Sequence, residues 1–437
     1  MSSSSTFGTE SDNAETITFI KLYDDHESEI KYVYHLSDIH IRNNQRHAEY
    51  NEVFERTYKK IRTMIGDRVM SSLIVVTGDI VHAKTEMSPE SISVVYYFFK
   101  NLSDIAPVIL IPGNHDCNLS NRNRMDALTP IVDDIGKLTN LYYLKNTGIY
   151  QYQNILFGVT SIFDNMLISA NKIDKNIWKK MKHKNKYKIA LYHGPVHGAK
   201  TDVGYRMNNT ELVAEDFAGY DYVMLGDIHM YQYMNKEKTV AYAGSLIQQS
   251  YGESIDNHGF LKWDLRDGDS ELIKIRNDYG FCTVRIVDGK MENANIPIKP
   301  RIRFITENTN QMQYQEILSA LEKEYEICEI VKETSFKTKM AQNKPITIYG
   351  DGLQTRDFVH VQHIVDSNLR TGFIPAQAIT GSVLNCATGS SITLLQLIQK
   401  LRHEFPDFTE AITFAPARAG DIKHTSADCA LYNKIMA

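Results

Sequence analysis

The sequence predicts an α/β fold built in layers. Three observations carry that expectation. Short β-rich runs alternate with amphipathic stretches from Tyr32 to about residue 262, the runs have the length of buried strands, and each stops abruptly at a polar cluster. The runs read KYVYHL, SSLIVV, APVILI, YKIALY and YDYVML. Between them, RHAEYNEVFERTYKKIRTMI and PESISVVYYFFKNLSDI have the pattern of helices that bury one face.

Composition sets the outer bounds. A chain of 437 residues, 43% hydrophobic and 23% charged, can bury a full core and has room for two or three domains. Acids and bases nearly balance once the acidic, Ser-rich residues 1–30 are set aside, so only local clusters bear on nucleic acid. The cysteines (Cys117, Cys282, Cys328, Cys386, Cys429) form no C-x-x-C pair, which argues against a disulfide framework or a thiolate zinc site. No apolar stretch reaches bilayer length, and the start, MSSSSTFGTESDNAET, lacks the features of a secretory signal. An intracellular compartment, cytoplasmic or nuclear, is expected, with no membrane contact; a viral source is compatible with it. The expected organisation is a disordered tail at 1–30, a core at 31–262, a smaller module at 263–340 and a third composition from 341 to 437, with a boundary around 337–343.

What ends each run matters more than the run. The endings are Ser-Asp-Ile-His (37–40), Gly-Asp-Ile-Val-His (78–82), Gly-Asn-His-Asp (113–116), His-Gly-Pro-Val-His (193–197) and Gly-Asp-Ile-His (226–229). Ligands of α/β sheets bind outside the carboxyl ends of strands, so these endings are expected to converge on one edge. On a strand, Asp38 and His40 would point to the same face and reach one ion. Gly78, Gly113 and Gly226 would allow tight turns or close approach. A single histidine of this kind is more often structural than a ligand. Seven in order, Asp38, His40, Asp79, Asn114, His193, Asp227 and His229, argue for two divalent ions, and nitrogen and oxygen donors without cysteine suit Mn²⁺, Fe²⁺ or Zn²⁺.

In that order and spacing the endings resemble the calcineurin-like metallophosphoesterases. Within them, GDIVHAKTEMSPES and VAYAGSLIQQSYGESIDNHGF are similar to the SbcD-type nucleases of double-strand-break repair. The resemblance spans about 30–335. It implies a layered β-sandwich core flanked by helices and followed by a small α+β cap. It further implies that Asp38, His40 and His229 bind one ion, Asn114 and His193 the other, and Asp79 bridges. His115 would act on the scissile phosphate or leaving group, with His82 a second histidine near the phosphate. Two ions are implied, Mn²⁺ first and Fe²⁺, Zn²⁺ or Mg²⁺ as alternatives. The implied activity is exonuclease on duplex DNA ends and endonuclease on single strands, in a homodimer working with an SbcC-type coiled-coil ATPase. SISVVYYFFKNL is the apolar candidate for the dimer surface. Asp227 departs from the family, which usually has His there, so an altered metal preference or a weakened second site is expected.

Other residues carry weaker expectations. Arg42, Arg46, Arg122 and Arg124 follow the metal motifs and are candidates for DNA phosphates. The lysine-rich KIDKNIWKKMKHKNKYK either contacts DNA or is a solvated helix. Asp116 either orients His115 or caps a loop; His47, His197 and Cys117 are bystanders. Small phosphodiesters, nucleotides or phosphoproteins are the alternative substrates, and a non-catalytic DNA-end binding subunit is the alternative role.

Residues 344–437 resemble the C-terminal part of nucleotide-sugar epimerases and dehydratases, through PITIYGDGLQTRDFVHVQHIVDSNL, LNCATGSSITLLQLI and ARAGDIKHTSAD. The resemblance matches Arg356 to an arginine that contacts the sugar nucleotide. No G-x-G-x-x-G turn occurs in the chain, so no NAD is expected and this segment reads as a partial α/β unit. The displaced C-terminus puts ATPase binding in doubt.

Overall fold

The computed structural model describes residues 4–5, 18–22 and 28–436, apart from 123, 136–137, 165, 209, 308, 333–339, 341–342, 344, 373, 375–382 and 418–421. The boundary expected at 337–343 lies largely outside these residues. The chain divides into two units: Met1–Val284, Glu292–Arg303 and Gln315–Val331 form the first, and Arg285–Met291, Phe304–Tyr314 and Lys332–Ala437 the second.

The first unit is built on the five expected runs. β1 (Tyr32–Leu36), β2 (Ser72–Thr77) and β3 (Val108–Ile111) are parallel neighbours in a six-stranded sheet. β4 (Tyr187–His193) and β5 (Tyr222–Gly226) are parallel neighbours in an eight-stranded sheet. Alternation along each strand explains the layering. Tyr34, Leu36, Ile74, Val76, Val108 and Leu110 pack with α1 (His47–Ile65) and α2 (Pro89–Ser103), while Val33, Leu73, Val75 and Ile109 pack with Phe157, Ile189, Leu191 and Met224 of the other sheet. Strands buried on both faces read as unbroken apolar runs. This is the mixed α/β, layered architecture the endings suggested, and it puts all five strand ends on the same side.

Two boundaries are corrected. Phe19–Lys21, within the expected tail, pairs in parallel with Ile149–Gln151 as the second strand of the eight-stranded sheet, and Ile20 packs on the inter-sheet core. Asp269–Lys274 pairs with Gly259–Asp264 in the six-stranded sheet, so the core runs past 262.

α2 starts where the sequence says: Ser88 caps it by accepting from Ser91 N–H at 3.3 Å, with Pro89 at the first position. Its apolar face is mostly spent internally, since Val95, Phe98, Phe99 and Leu102 are buried and Tyr97 is exposed. α1 contains a buried ionic knot. Glu49 accepts from Arg46 Nε and Nη2, both at 2.9 Å, and lies 2.9 Å from Arg301 Nη1.

In the second unit, Ile346–Tyr349 and Ile412–Ala415 form a two-stranded parallel pair. Met340, Ile346, Ile348, Ile398, Leu401 and Phe408 make a small core beside them. Val361, Leu369, Val383 and Phe414 stay more than half exposed.

Removing the Glu49 carboxylate would leave two guanidinium groups with little solvent and no counter-charge. Glu49→Ala is therefore expected to lower the stability of the first unit by about 3–5 kcal/mol, measured by urea unfolding. Lys100→Ala, which breaks the exposed Lys100–Asp104 pair, is expected to leave the midpoint unchanged.

Candidate metal centre

Each strand end turns sharply, and the backbone rather than the strand aims the side chains. β1 stops at Leu36, so Asp38 and His40 do not share a strand face as expected. Both are left-handed, with φ of 53° and 50°. Asp79 and Asp227 are left-handed too, at 55° and 94°. Non-glycine residues adopt this region at a cost of about 1–2 kcal/mol each, and it persists where surroundings fix it. Here neighbouring loops do so: Asp38 N–H donates to Gly78 O at 3.1 Å, His40 N–H to Asp79 O at 2.9 Å and Ile41 N–H to Ile80 O at 2.8 Å.

Close approach explains two of the glycines. Gly78 has φ of 89°, and a Cβ there would sit 2.6 Å from both Gly113 N and His193 Nδ1. A Cβ on Gly113 would overlap the Asp79 carboxylate. Asp116 settles as a loop tie: its Oδ1 accepts from Ile80 and Val81 N–H at 2.9 and 3.0 Å, and its Oδ2 from Gly113 N–H at 2.9 Å. Burial pushes this carboxyl up to about 7. The His115 ring is oriented instead by the His82 carbonyl, 2.7 Å from Nδ1, and His115 N–H donates to Asp79 Oδ1 at 2.8 Å.

Three groups of side chains bring their ligand atoms within 4.8 Å of one another: Asp38, His40 and His229; Asp38, Asp79 and His193; and His40, His82 and His115. His193 Nδ1 donates to Thr77 O at 2.6 Å, which directs Nε2 toward Asp79 Oδ1 at 3.3 Å. The end of the Asn114 amide lies 3.1 Å from His193 Nε2 and from both Asp79 oxygens. His40 Nε2 and His229 Nε2 face each other at 2.9 Å. Asp227 takes a different position from the other six. Its N–H donates to the Asp38 carboxylate at 3.2 and 3.3 Å, and its own carboxylate lies 3.8 Å from His193 Nε2, outside the three groups.

The electrostatics fit a divalent cation. Burial pushes Asp38 up to about 6, against the pull of His193 and His229. Burial also acts to raise Asp79, but His193, His40 and His115 outweigh it and hold this carboxyl below the usual range. Burial keeps His40 well below the ordinary histidine value. Among the described residues, the ion pairs of Asp38, Asp79 and Asp227 are all to histidines. Buried carboxylates with imidazole and amide neighbours, and no lysine or arginine paired to them, are a donor set for hard or borderline cations.

The expected phosphate contacts separate. Arg122 and Arg124 are exposed on the loop after His115. Arg42 is half-buried, with Nη2 on Gln249 O at 3.1 Å. Arg46 is a correction: its side chain is 4% exposed and spent on Glu49, so it is not free for DNA. In the lysine-rich stretch, Lys186 and Lys188 lie over the Trp178 ring beside the short helix Lys175–Lys180. His47 holds Arg42 O and Cys117 is buried. In the second unit Arg356 donates from Nη1 to Thr355 O and Lys423 O.

The sequence reading missed Glu253. Its Oε1 is 3.0 Å from His229 Nδ1 and its Oε2 accepts from Gln249 N–H at 2.7 Å. That outweighs burial and pushes His229 up to about 9. Gln249 Nε2 in turn reaches Ile39 O at 3.3 Å, so one loop braces both Asp-Ile-His turns. Glu253 lies in SYGES, inside the stretch likened to SbcD-type nucleases, but an acid at that spacing has no periodic signal that singles it out.

Residues 31–231, somewhat under half of the chain, match the family described as calcineurin-like phosphoesterase. The chain is 63% identical over 344 residues to "Uncharacterized protein R555" of Acanthamoeba polyphaga mimivirus, covering 79% of this chain and 25% of that protein. It thus spans a quarter of that relative's length. It is 25% identical over 234 residues to "Putative phosphoesterase 244L" of Invertebrate iridescent virus 6, covering 52% of this chain and 74% of that one. A third relative, "Putative UDP-glucose 4-epimerase" of Methanocaldococcus jannaschii, is 34% identical over 87 residues, covering 20% of this chain and 27% of that one. A solved UDP-glucuronic acid 4-epimerase from Bacillus cereus is 19% identical with a TM-score of 0.22, covering 32% of this chain and 56% of that one, too slight a likeness to carry an argument.

Second-sphere partners of metal-bound histidines typically contribute 10- to 100-fold in affinity. Glu253→Ala is expected to weaken Mn²⁺ binding by roughly that factor, while Glu253→Gln, which keeps an acceptor for His229 Nδ1–H, loses less. Titration calorimetry with the purified chain checks both. Gly113→Ala is expected to displace Asp79 and abolish binding of at least one ion in the same measurement.

Proposed function

We propose, taking the calcineurin-like phosphoesterase match at 31–231 as the premise, that this chain is a divalent-metal phosphodiesterase acting on DNA. The observation that carries the reading is the convergence of Asp38, His40, Asp79, His193 and His229 beside His115, all at the ends of strands from two sheets. Bound divalent ions would activate water and stabilise charge on the phosphoryl oxygens. Asp38, His40 and His229 would hold one ion and Asn114 with His193 the other, with Asp79 between them. Manganese is the first choice of metal. Asp227, where the family usually has His, adds a carboxylate close to His193 and favours a harder ion.

The remaining roles belong to the chain's own groups. His115 is held through Nδ1 by the His82 carbonyl, which leaves its other ring nitrogen to exchange a proton with the leaving oxygen. Arg122 and Arg124 stand exposed on the same loop and would meet the phosphates of the flanking strand. DNA as substrate is supported by these arginines and by the likeness of GDIVHAKTEMSPES and VAYAGSLIQQSYGESIDNHGF to SbcD-type nucleases. Exonuclease action on duplex ends, endonuclease action on single strands, and service in double-strand-break repair follow from that likeness. A homodimer and an SbcC-type ATPase are the corresponding partners.

The test is Mn²⁺-dependent digestion of an end-labelled duplex by the full chain. The wild type is expected to degrade it, and His115→Asn at matched metal loading to do so about a hundredfold more slowly or worse. An intact duplex with both ions bound would overturn DNA as the substrate and direct the search to small phosphodiesters.

A further inference from the structure

Beside the metal centre opens a cavity of about 330 Å³ that shares Asp227 and His229 with it. Its lining combines apolar Val203, Met207 and Met230 with polar Asp202, Glu253 and Ser250. Its volume is at the lower end for pockets that hold small organic groups. We propose that this cavity seats the neutral nucleoside attached to the scissile phosphate. The inference rests on the phosphodiesterase reading above and adds what lies next to the bond that is cut.

Charge decides the class of occupant. Asp202, Asp227 and Glu253 line the cavity and no lysine or arginine does. A second phosphate there would face the Asp202 and Glu253 carboxylates, with Asp227 engaged at the metal centre. A nucleoside presents no charge. Its base N–H and sugar hydroxyl groups are donors, and the carboxylates and Ser250 are acceptors. The flat face of the base would lie on methionine side chains, which are polarizable and adapt to different rings. This composition tolerates any base and disfavours a further phosphate, so it suits the nucleoside at a strand end.

The wall is built rather than accidental. The turn 201–205 closes on itself, with Thr201 N–H donating to Tyr205 O at 2.9 Å. It is tied across the opening by Asp202 Oδ1, which accepts from Ser254 N–H at 3.3 Å. Gly252 has no side chain where Val203 overhangs: a Cβ there would lie 2.9 Å from Val203 Cγ1. Val203 is 72% exposed, so the residue at the mouth can be enlarged without disturbing the core.

Two measurements on the full chain test the inference. Saturation-transfer NMR with free thymidine reads occupancy without catalysis, and the wild type is expected to give a signal that Val203→Trp loses. Hydrolysis of the p-nitrophenyl ester of thymidine 5′-monophosphate is compared with that of methyl p-nitrophenyl phosphate, which has nothing to place in the cavity. Val203→Trp is expected to raise KM for the thymidine ester about tenfold and to leave the methyl ester unaffected. The inference is overturned if thymidine does not touch the wild type, if Val203→Trp binds it as well, or if both esters change together. If the wild type hydrolyses neither ester, the phosphodiesterase reading falls, and the thymidine signal alone decides the cavity.

Discussion

Asp38 and Asp79 are carboxylates with almost no access to water, and a buried carboxylate is tolerated only when nearby groups replace its hydration. At Asp79 that replacement comes from His193, His40 and the backbone N–H of His115. At Asp38 it comes from the N–H of Asp227 and the neighbouring histidines. Meeting this demand shapes the surrounding chain. The turns become left-handed so that acids and imidazoles converge, glycines clear the space between loops, and Asp116 fastens the second turn to the third. A cluster of this kind holds more negative charge than its own histidines comfortably balance, and that surplus is what a divalent cation neutralises.

Much of this was legible in the sequence, for identifiable physical reasons. Parallel strands buried on both faces leave unbroken apolar runs, and the polar residues that end them stand out by contrast. The order of Asp, Asn and His at those ends identified the residues that the fold gathers. What escaped was anything decided by backbone conformation or by partners far away in sequence. The left-handed turns at Asp38 and His40 follow from hydrogen bonds to the next loop, which no local pattern records. Arg46 looked like a free cation because the contacts that bury it, to Glu49 and to Gln248 and Gln249 far along the chain, form only once the helix has packed. Glu253 acquires its role from His229, twenty-four residues earlier, through a contact with no periodicity.

The second unit shows the opposite case, where local pattern is clear and tertiary support is thin. Its helices have caps, such as Thr393 with Gln396, and its strands have fitting residues, yet among the described residues the parallel pair has two members. Parallel strands normally lie in larger sheets with both faces covered. Val361, Val383 and Phe414 are exposed apolar residues of this unit.

The metal centre draws its residues from strands of two sheets, and these ligand-bearing strands occur in different stretches of the chain. Asp38, His40, Asp79 and Asn114 come from the first sheet and are complete by residue 114, whereas His193 and His229 arrive with the second. During synthesis, this first set exists as two carboxylates, one imidazole and one amide before its counterpart leaves the ribosome. Completion of the centre therefore coincides with docking of one sheet on the other. A strand that pairs one residue out of register presents a different set of side chains at its end, so the ligand atoms converge only when the pairing is right. Correct assembly and competence become the same event.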